Sequence, residues 1–357
     1  MTKIGITHGD INGIGYEVII KLLEDNRILE LMTPVVYGSA KLMAQYCKLL
    51  GKPNLPLNQI MDADEARQGA INIINVVGED VKAEPGETSD SAGKAAFAAL
   101  EACVKDIMEG KIDAMVTAPI SKSAVQSDEF HFPGHTEYLG EATHGNPLMI
   151  LFNSSMRIAL VTTHLPVSRI AEEITEDAIV EKLRMFNESL KQDFGIIKPR
   201  IAVLSLNPHA GDNGLLGKEE EEIIIPAIRK ASDDRIYCFG PYAADGFFGS
   251  GQYKKFDGIL AMYHDQGLAP FKTVAMDSGV NFTAGLSIVR TSPDHGTAFD
   301  IAGRGEASEE SLREAVYAAI DITRNRENHA ERNANPLRRQ YFDKSKDNVV
   351  LDLSKDV

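Results

Sequence analysis

Three short apolar runs in this chain each lead into a histidine. Ile158-Ala-Leu-Val161 runs into Thr162-Thr-His164, Ile201-Ala-Val-Leu204 into Ser205-Leu-Asn-Pro-His209, and Ile259-Leu-Ala-Met262 into Tyr263-His264-Asp265. Runs of this length and composition read as strands. In open α/β sheets, ligands gather beyond the carboxyl ends of the strands. Imidazole is a common ligand of zinc and its neighbours, and three protein ligands with one open position describe a catalytic metal site. Each histidine alone reads as a buried structural residue. The sequence holds only nine histidines, and three of them placed after three strands read together as ligands of one divalent metal. Asp265 and Asn207 are available to orient the rings. Turn formation and helix capping would suit them equally.

Other residues could hold an anion. His135 and Thr136 follow Gly134 in Phe132-Pro-Gly-His-Thr-Glu-Tyr138, where backbone, imidazole and hydroxyl can approach a phosphate or carboxylate. The competing reading is a helix cap at Thr136 with Glu137 in the first turn. Lys272, Asn281 and Arg290 follow His264, and two cations with an amide suit a phosphorylated substrate. Lys122 ends Thr117-Ala-Pro-Ile-Ser-Lys122 and is a candidate for proton transfer. The acidic run Glu219–Glu222 reads as the negative first turn of a helix. No GxGxxG follows a strand; Gly9-x-x-x-Gly13-x-Gly15 has different spacing and is weak evidence for phosphate binding. The donor-rich stretch from Arg290 to Asp300 precedes a helix and could receive an anion or a ribose.

The elements that must position these groups alternate. Ile4–Thr7, Val35–Tyr37, Ile71–Val76 and Ala114–Val116 read as further strands, and Tyr16–Leu23, Ser91–Glu109, Glu176–Gln192 and Glu219–Ala231 as helices. That alternation predicts an α/β fold with a largely parallel sheet between helices. With 357 residues, two lobes fit better than one core. The polar tail from Arg324 to Lys346 reads as a surface helix and loop. A net charge of −15 repels a phosphate backbone, so nucleic acid is not an expected partner. Three cysteines without a CxxC pair argue against a disulfide framework or a structural zinc site. The first eight residues carry no apolar signal core, and no stretch is apolar enough to span a bilayer, so a cytoplasmic protein without a membrane partner is expected.

Seven blocks then occur in order: Gly9-Asp-Ile-Asn-Gly-Ile-Gly15, Thr117-Ala-Pro-Ile-Ser-Lys122, Gly134-His-Thr-Glu137, Thr162-Thr-His-Leu-Pro166, Leu206-Asn-Pro-His-Ala-Gly211, Met262-Tyr-His-Asp-Gln-Gly267 and Arg290-Thr-Ser-Pro-Asp-His-Gly-Thr297. Over residues 4 to 307 the chain resembles the 4-hydroxythreonine-4-phosphate dehydrogenase family. Ile11 and Tyr16 stand where that family usually carries proline, and Ser121 where histidine is common. The resemblance implies a fold like isocitrate and isopropylmalate dehydrogenases: two α/β/α lobes with a cleft between them. The lobes would be 1–138 plus 305–357, and 139–304 with the metal ligands and dimer contacts. It implies a homodimer whose active site is shared, with His164, His209 and His264 on the metal and His264 coming from the other subunit. It assigns His135, Thr136, Lys272, Asn281 and Arg290 to the substrate, and Asp294, His295, Gly296 and Thr297 to NAD or NADP. Lys122 and Asp265 are the catalytic candidates.

The implied reaction is metal-dependent oxidation of 4-phosphohydroxy-L-threonine to the 3-oxo acid. Loss of carbon dioxide then gives 3-amino-2-oxopropyl phosphate, in pyridoxal 5'-phosphate biosynthesis. Relatives acting on 4-phosphothreonate or 4-phosphoerythronate define an alternative. All-nitrogen ligation leans to zinc or cobalt, with magnesium and manganese open. Two rival classes are a metal-dependent hydrolase with the same three histidines and a metal-free phosphate acyltransferase.

Overall fold

The computed structural model describes residues 1–126, 134–275 and 278–335. Phe132 and Pro133, just before His135, and the tail beyond 335 lie outside them. The strands are β1 (Thr2–Thr7), β2 (Met32–Gly38), β3 (Leu57–Ile60), β4 (Ile71–Asn75), β5 (Ala114–Thr117), β6 (Leu148–Phe152), β7 (Arg157–Leu160), β8 (Arg200–Leu204), β9 (Tyr237–Tyr242), β10 (Gly258–Ala261), β11 (Val280–Ala284) and β12 (Arg290–Pro293). They form one twelve-stranded sheet in the order β3-β4-β2-β1-β5-β12-β11-β6-β7-β10-β8-β9.

The α/β expectation holds, but the sheet is parallel only within each half. β12 is antiparallel to β11, β11 to β6, and β6 to β7. Three reversals leave β7, β10, β8 and β9 running opposite to β1, β5 and β12. The carboxyl ends of the two halves therefore point in opposite senses along the sheet, and β11 and β6 lie between them.

Alternation along the strands divides the core accordingly. One face is continuous: Ile4, Val116, Ile150, Leu260, Phe282 and Val316 belong to a single cluster. The other face carries two clusters. Met115, Leu100 and Val35 build one, and Leu151, Ile259 and Phe271 the other. A sheet covered continuously on one side and in two patches on the other leaves a groove between the patches. Helix Glu310–Ala334 closes the continuous face by packing on β12, β5, β11 and β1. Arg324 to Ala334 of the expected surface helix and loop is the mostly exposed end of this helix, and the rest of that segment from 336 onward lies outside the described residues. Among the described residues no helix is long and apolar enough to cross a membrane.

The first glycine-rich turn is tightly fixed. Gly9 has φ +69°, and a Cβ there would meet the Ala118 and Pro119 carbonyls. Tyr16, in the place of the usual proline, is fully buried and stacks between His8 and Tyr46, with centroids at 5.1 and 5.4 Å. His8 is fully buried as well. Its Nδ1 donates to Gly9 O at 2.7 Å, and Nε2 has no partner among the described residues. Burial pushes its pKa down from 6.5 to about 4, against the opposing hydrogen bond to Gly9. Between those values the unfolded chain binds the proton and the folded one does not. Stability from His8 is complete above pH 6.5 and falls as pH drops toward 4, by about 1.4 kcal/mol per unit at most. In His8→Gln, denaturant titrations at pH 7 and 4.5 are expected to show a pH-dependent loss smaller by about 2 kcal/mol. An unchanged loss would show that His8 does not titrate on unfolding.

Candidate active site

A cavity of about 310 Å³ occupies the groove. One wall comes from the segment after β5, with Pro119 and Lys122, and from Asp294, His295 and Gly296 after β12. The facing wall carries His164 after β7 and His264 after β10. Its floor is the sheet itself: Met149 and Leu151 of β6, Asn281 of β11, Arg290 and Ser292 of β12. The reversal at β11 and β6 brings strand ends of both halves to one place.

Arg290 is 3% exposed. Its Nε and Nη2 donate to Thr117 Oγ1 at 3.0 and 2.6 Å, and Nη1 donates to Thr283 Oγ1 at 3.2 Å. No carboxylate pairs with it among the described residues. Burial pushes its pKa down to about 10, with Glu137 opposing. A buried guanidinium held only by neutral hydroxyls is costly unless an anion completes it. His135 stands nearby, its pKa pushed well below the usual value by burial and by the charges of Arg290 and Lys122. Its Nε2 is buried without a partner among the described residues, as is Oδ1 of Asn281. Lys272 reaches Asp294, with Nζ 3.5 Å from Oδ1. His135, Lys272, Asn281 and Arg290 thus line one cavity.

Helix His135–Ala142 starts at His135 with Gly134 as its cap residue, so Thr136 is not the cap. Thr136 lines a smaller adjoining cleft with Glu137, His164 and Lys182. Glu137 lies in the first turn of this helix, as expected, and its Oε1 also lies 3.9 Å from Nδ1 of His164. Thr117, which anchors Arg290, was missed as a site residue; its position at the end of β5 was the available signal.

The histidines divide two and one. His164 and His264 face each other with ring centroids 6.0 Å apart. Thr162 joins their loops by donating N–H and Oγ1–H to Met262 O, at 3.1 and 2.8 Å. His264 Nδ1 meets Asp265 Oδ1 at 2.7 Å, and Nε2 has no hydrogen-bond partner among the described residues. Asp265 is largely exposed and touches the cavity only through His264. His209 stands apart, exposed, in a second cavity with Asn207, Asp245 and Tyr263. Gln266 links the two regions by accepting from Met262 N and donating to Ser205 O. Among the described residues of one chain, no three histidine, cysteine or carboxylate groups converge on a metal position. It is thus His209, rather than His264, that is separated from the other two.

Of the segment assigned to the dinucleotide, Asp294, His295 and Gly296 line the cavity and Thr297 does not. Thr297 instead anchors the segment: Ile14 N donates to its carbonyl at 3.1 Å, and a Cβ on Gly13 would meet the same oxygen at 2.8 Å. Farther along, Glu17 accepts from Gly305 N and Ala307 N, while Lys21 donates to the carbonyls of both residues. His295 donates through Nδ1 to Gly296 O and leaves Nε2 unpartnered among the described residues.

A sheet enzyme emerges that gathers cations and paired imidazoles at strand ends around a small anion. Its relatives make the class specific. The chain belongs to the family described as pyridoxal phosphate biosynthetic protein PdxA, which matches residues 30–319. A 4-hydroxythreonine-4-phosphate dehydrogenase of Bacteroides thetaiotaomicron is 56% identical over 354 residues, 98% of this chain and 97% of the relative. One from Sulfurihydrogenibium is 42% identical, covering 91% and 99%. The crystal structure of the enzyme from Klebsiella pneumoniae superposes with a TM-score of 0.79 at 34% identity, covering 90% of this chain and 98% of that one. These relatives are named dehydrogenases, and this chain, an oxidoreductase of the same family, shares the α/β fold of the solved structure.

Proposed function

We propose that this enzyme oxidises the 3-hydroxyl of 4-phosphohydroxy-L-threonine with NAD or NADP and one divalent metal, releasing carbon dioxide from the resulting 3-oxo acid. The observation that carries this reading is the buried Arg290 guanidinium, unpaired by any described carboxylate, in the cavity that also holds facing His164 and His264. An anionic end and a ligand end in one cavity fit a small phosphorylated alcohol.

Arg290, Lys272, Asn281 and His135 take the phosphate and fix the carbon skeleton; Thr136 supports them from the adjoining cleft. Remote anion contacts of this kind orient the reacting carbon. The imidazoles of His164 and His264, completed by His209 of a second subunit, would hold the metal, with Asp265 orienting His264. Zinc or cobalt suits this nitrogen donor set. When bound, the metal supplies Lewis acidity at the hydroxyl and the nicotinamide supplies the hydride acceptor. Lys122, which lines the same cavity as His135 and His164 and acts on both imidazoles, takes the hydroxyl proton. Asp294, His295 and Gly296 face the nicotinamide, and Thr297 fixes that segment to the first turn. The lobe division 1–138 plus 305–357 and 139–304 belongs to the same proposal; helix Glu310–Ala334 packs on β5 and β1 of the first lobe and also on β12 and β11 of the second.

The test is reduced-nicotinamide absorbance with 4-phosphohydroxythreonine, 4-phosphothreonate and 4-phosphoerythronate, each with NAD and NADP. The amino-acid substrate is expected to give the highest kcat/KM, and prolonged chelation to abolish turnover until metal is restored. Preference for either hydroxy acid would reassign the substrate; no nicotinamide reduction with any of them would remove the reading.

A further inference from the structure

The acidic run at Glu219–Glu222 has a role that its place at a helix start does not explain. The helix there does not begin as an α-helix. Residues Glu220–Ile224 form a π-helical turn before helix Ile225–Asp233. Widened turns of this type recur at functional sites. Here the turn carries Glu220 inward, to 2% exposure, while Glu221 and Glu222 stay exposed.

The buried carboxylate holds the loop after β8. Glu220 Oε1 accepts from Leu206 N at 2.8 Å and from Asn207 N at 2.7 Å. Glu220 Oε2 accepts from Asn207 Nδ2 at 2.9 Å, and the same amide donates to Glu219 Oε2 at 2.7 Å. A Cβ on Gly211 would lie 2.7 Å from Glu220 Oε2, so the loop's far side closes on the same carboxylate. His209 lies between these two fixed points. It has φ +53°, and Ala210, Asp212 and Asn213 are also left-handed, at +52°, +44° and +54°. Side chains rarely adopt this conformation, and successive examples persist only where surrounding contacts enforce them.

We propose that Glu220 is a positioning residue for His209: its buried carboxylate holds the left-handed loop that presents this imidazole to the metal position. The inference rests on the metal reading above and adds the group that preorganises its most isolated ligand. Replacement by glutamine sets an amide N–H₂ against that of Asn207, and replacement by alanine leaves two backbone N–H groups without their acceptor.

The experiment uses purified full-length protein with Co²⁺ alone as probe. Glu220→Gln, Glu220→Ala, the exposed control Glu222→Gln, and His209→Ala are compared by calorimetric Co²⁺ binding. Amide exchange at Leu206 and Asn207 and circular dichroism are measured alongside. Expected are a 10- to 100-fold higher Co²⁺ Kd and faster exchange at both amides in folded Glu220→Gln, with Glu222→Gln like wild type. Wild-type Kd in folded Glu220→Gln, while His209→Ala loses binding, would overturn the role of Glu220. Wild-type Kd in His209→Ala would instead remove the metal reading, and this role with it. If the alanine variant does not fold, the glutamine variant decides.

Discussion

Mixing inactive His209→Ala protein with inactive His264→Ala protein, with subunits allowed to exchange, is expected to restore about a quarter of wild-type turnover. Each variant alone should lose activity on the order of a thousand-fold, because each removes one of three ligands from every site. The rescue follows from where the imidazoles stand. His164 and His264 face each other in one chain, and His209 lies in a separate cavity. If a second subunit supplies His209, a mixed dimer has one site with all three ligands and one with neither His209 nor His264. Half the dimers are mixed after random exchange, and half their sites are intact. His209→Ala with His164→Ala should behave alike. His164→Ala with His264→Ala should give no recovery, since both residues belong to the same half-site. Recovery in that last mixture, without recovery of His209→Ala with His164→Ala, would return His264 to the partner subunit, as the sequence resemblance suggested.

Arg290→Met is expected to raise KM for the phosphorylated substrate by roughly 100-fold or more while leaving the melting temperature unchanged or higher. Charge-assisted hydrogen bonds to an anion contribute about 1.5–3 kcal/mol each, and a guanidinium makes two in the bidentate arrangement. The absence of a stability loss is the more telling half. In the folded protein Arg290 touches Thr117 and Thr283 hydroxyls, with no described carboxylate. A buried cation without a counter-ion opposes folding, so an apolar chain of similar length relieves that cost. Thermal unfolding and steady-state kinetics on one preparation separate the two effects. An unchanged KM would remove Arg290 from the phosphate site; a large fall in melting temperature would show that it supports the fold.

The sequence made the local elements legible because period and composition are local. Ile158–Val161, Ile201–Leu204 and Ile259–Met262 correspond to β7, β8 and β10, and their histidines follow as expected. The convergence of His135, Lys272, Asn281 and Arg290 was also readable from residue type and order. Strand direction was not. β6 and β11 were not among the expected strands; β6 turns back into β7 through residues 153–156 and β11 into β12 through residues 285–289, and only the pairing of β6 with β11 joins distant parts of the chain. The same limit hid the separation of His209 from His264, since position at a strand end does not say which cavity a loop faces. Glu220 lies in the first turn of its helix, as read, but its inward rotation in a π-turn was not legible, because that depends on Asn207 and Leu206 across the gap.

The place of β12 has a consequence for how the polypeptide emerges from the ribosome. β12 pairs with β5, although residues 118–289 separate them. Until that late strand is made, β5 ends the first half of the sheet as an open edge, and the apolar face later covered by helix Glu310–Ala334 is bare. A chain terminated before Arg290 therefore exposes both an unpaired strand and an uncovered core, the combination that recruits other chains into aggregates.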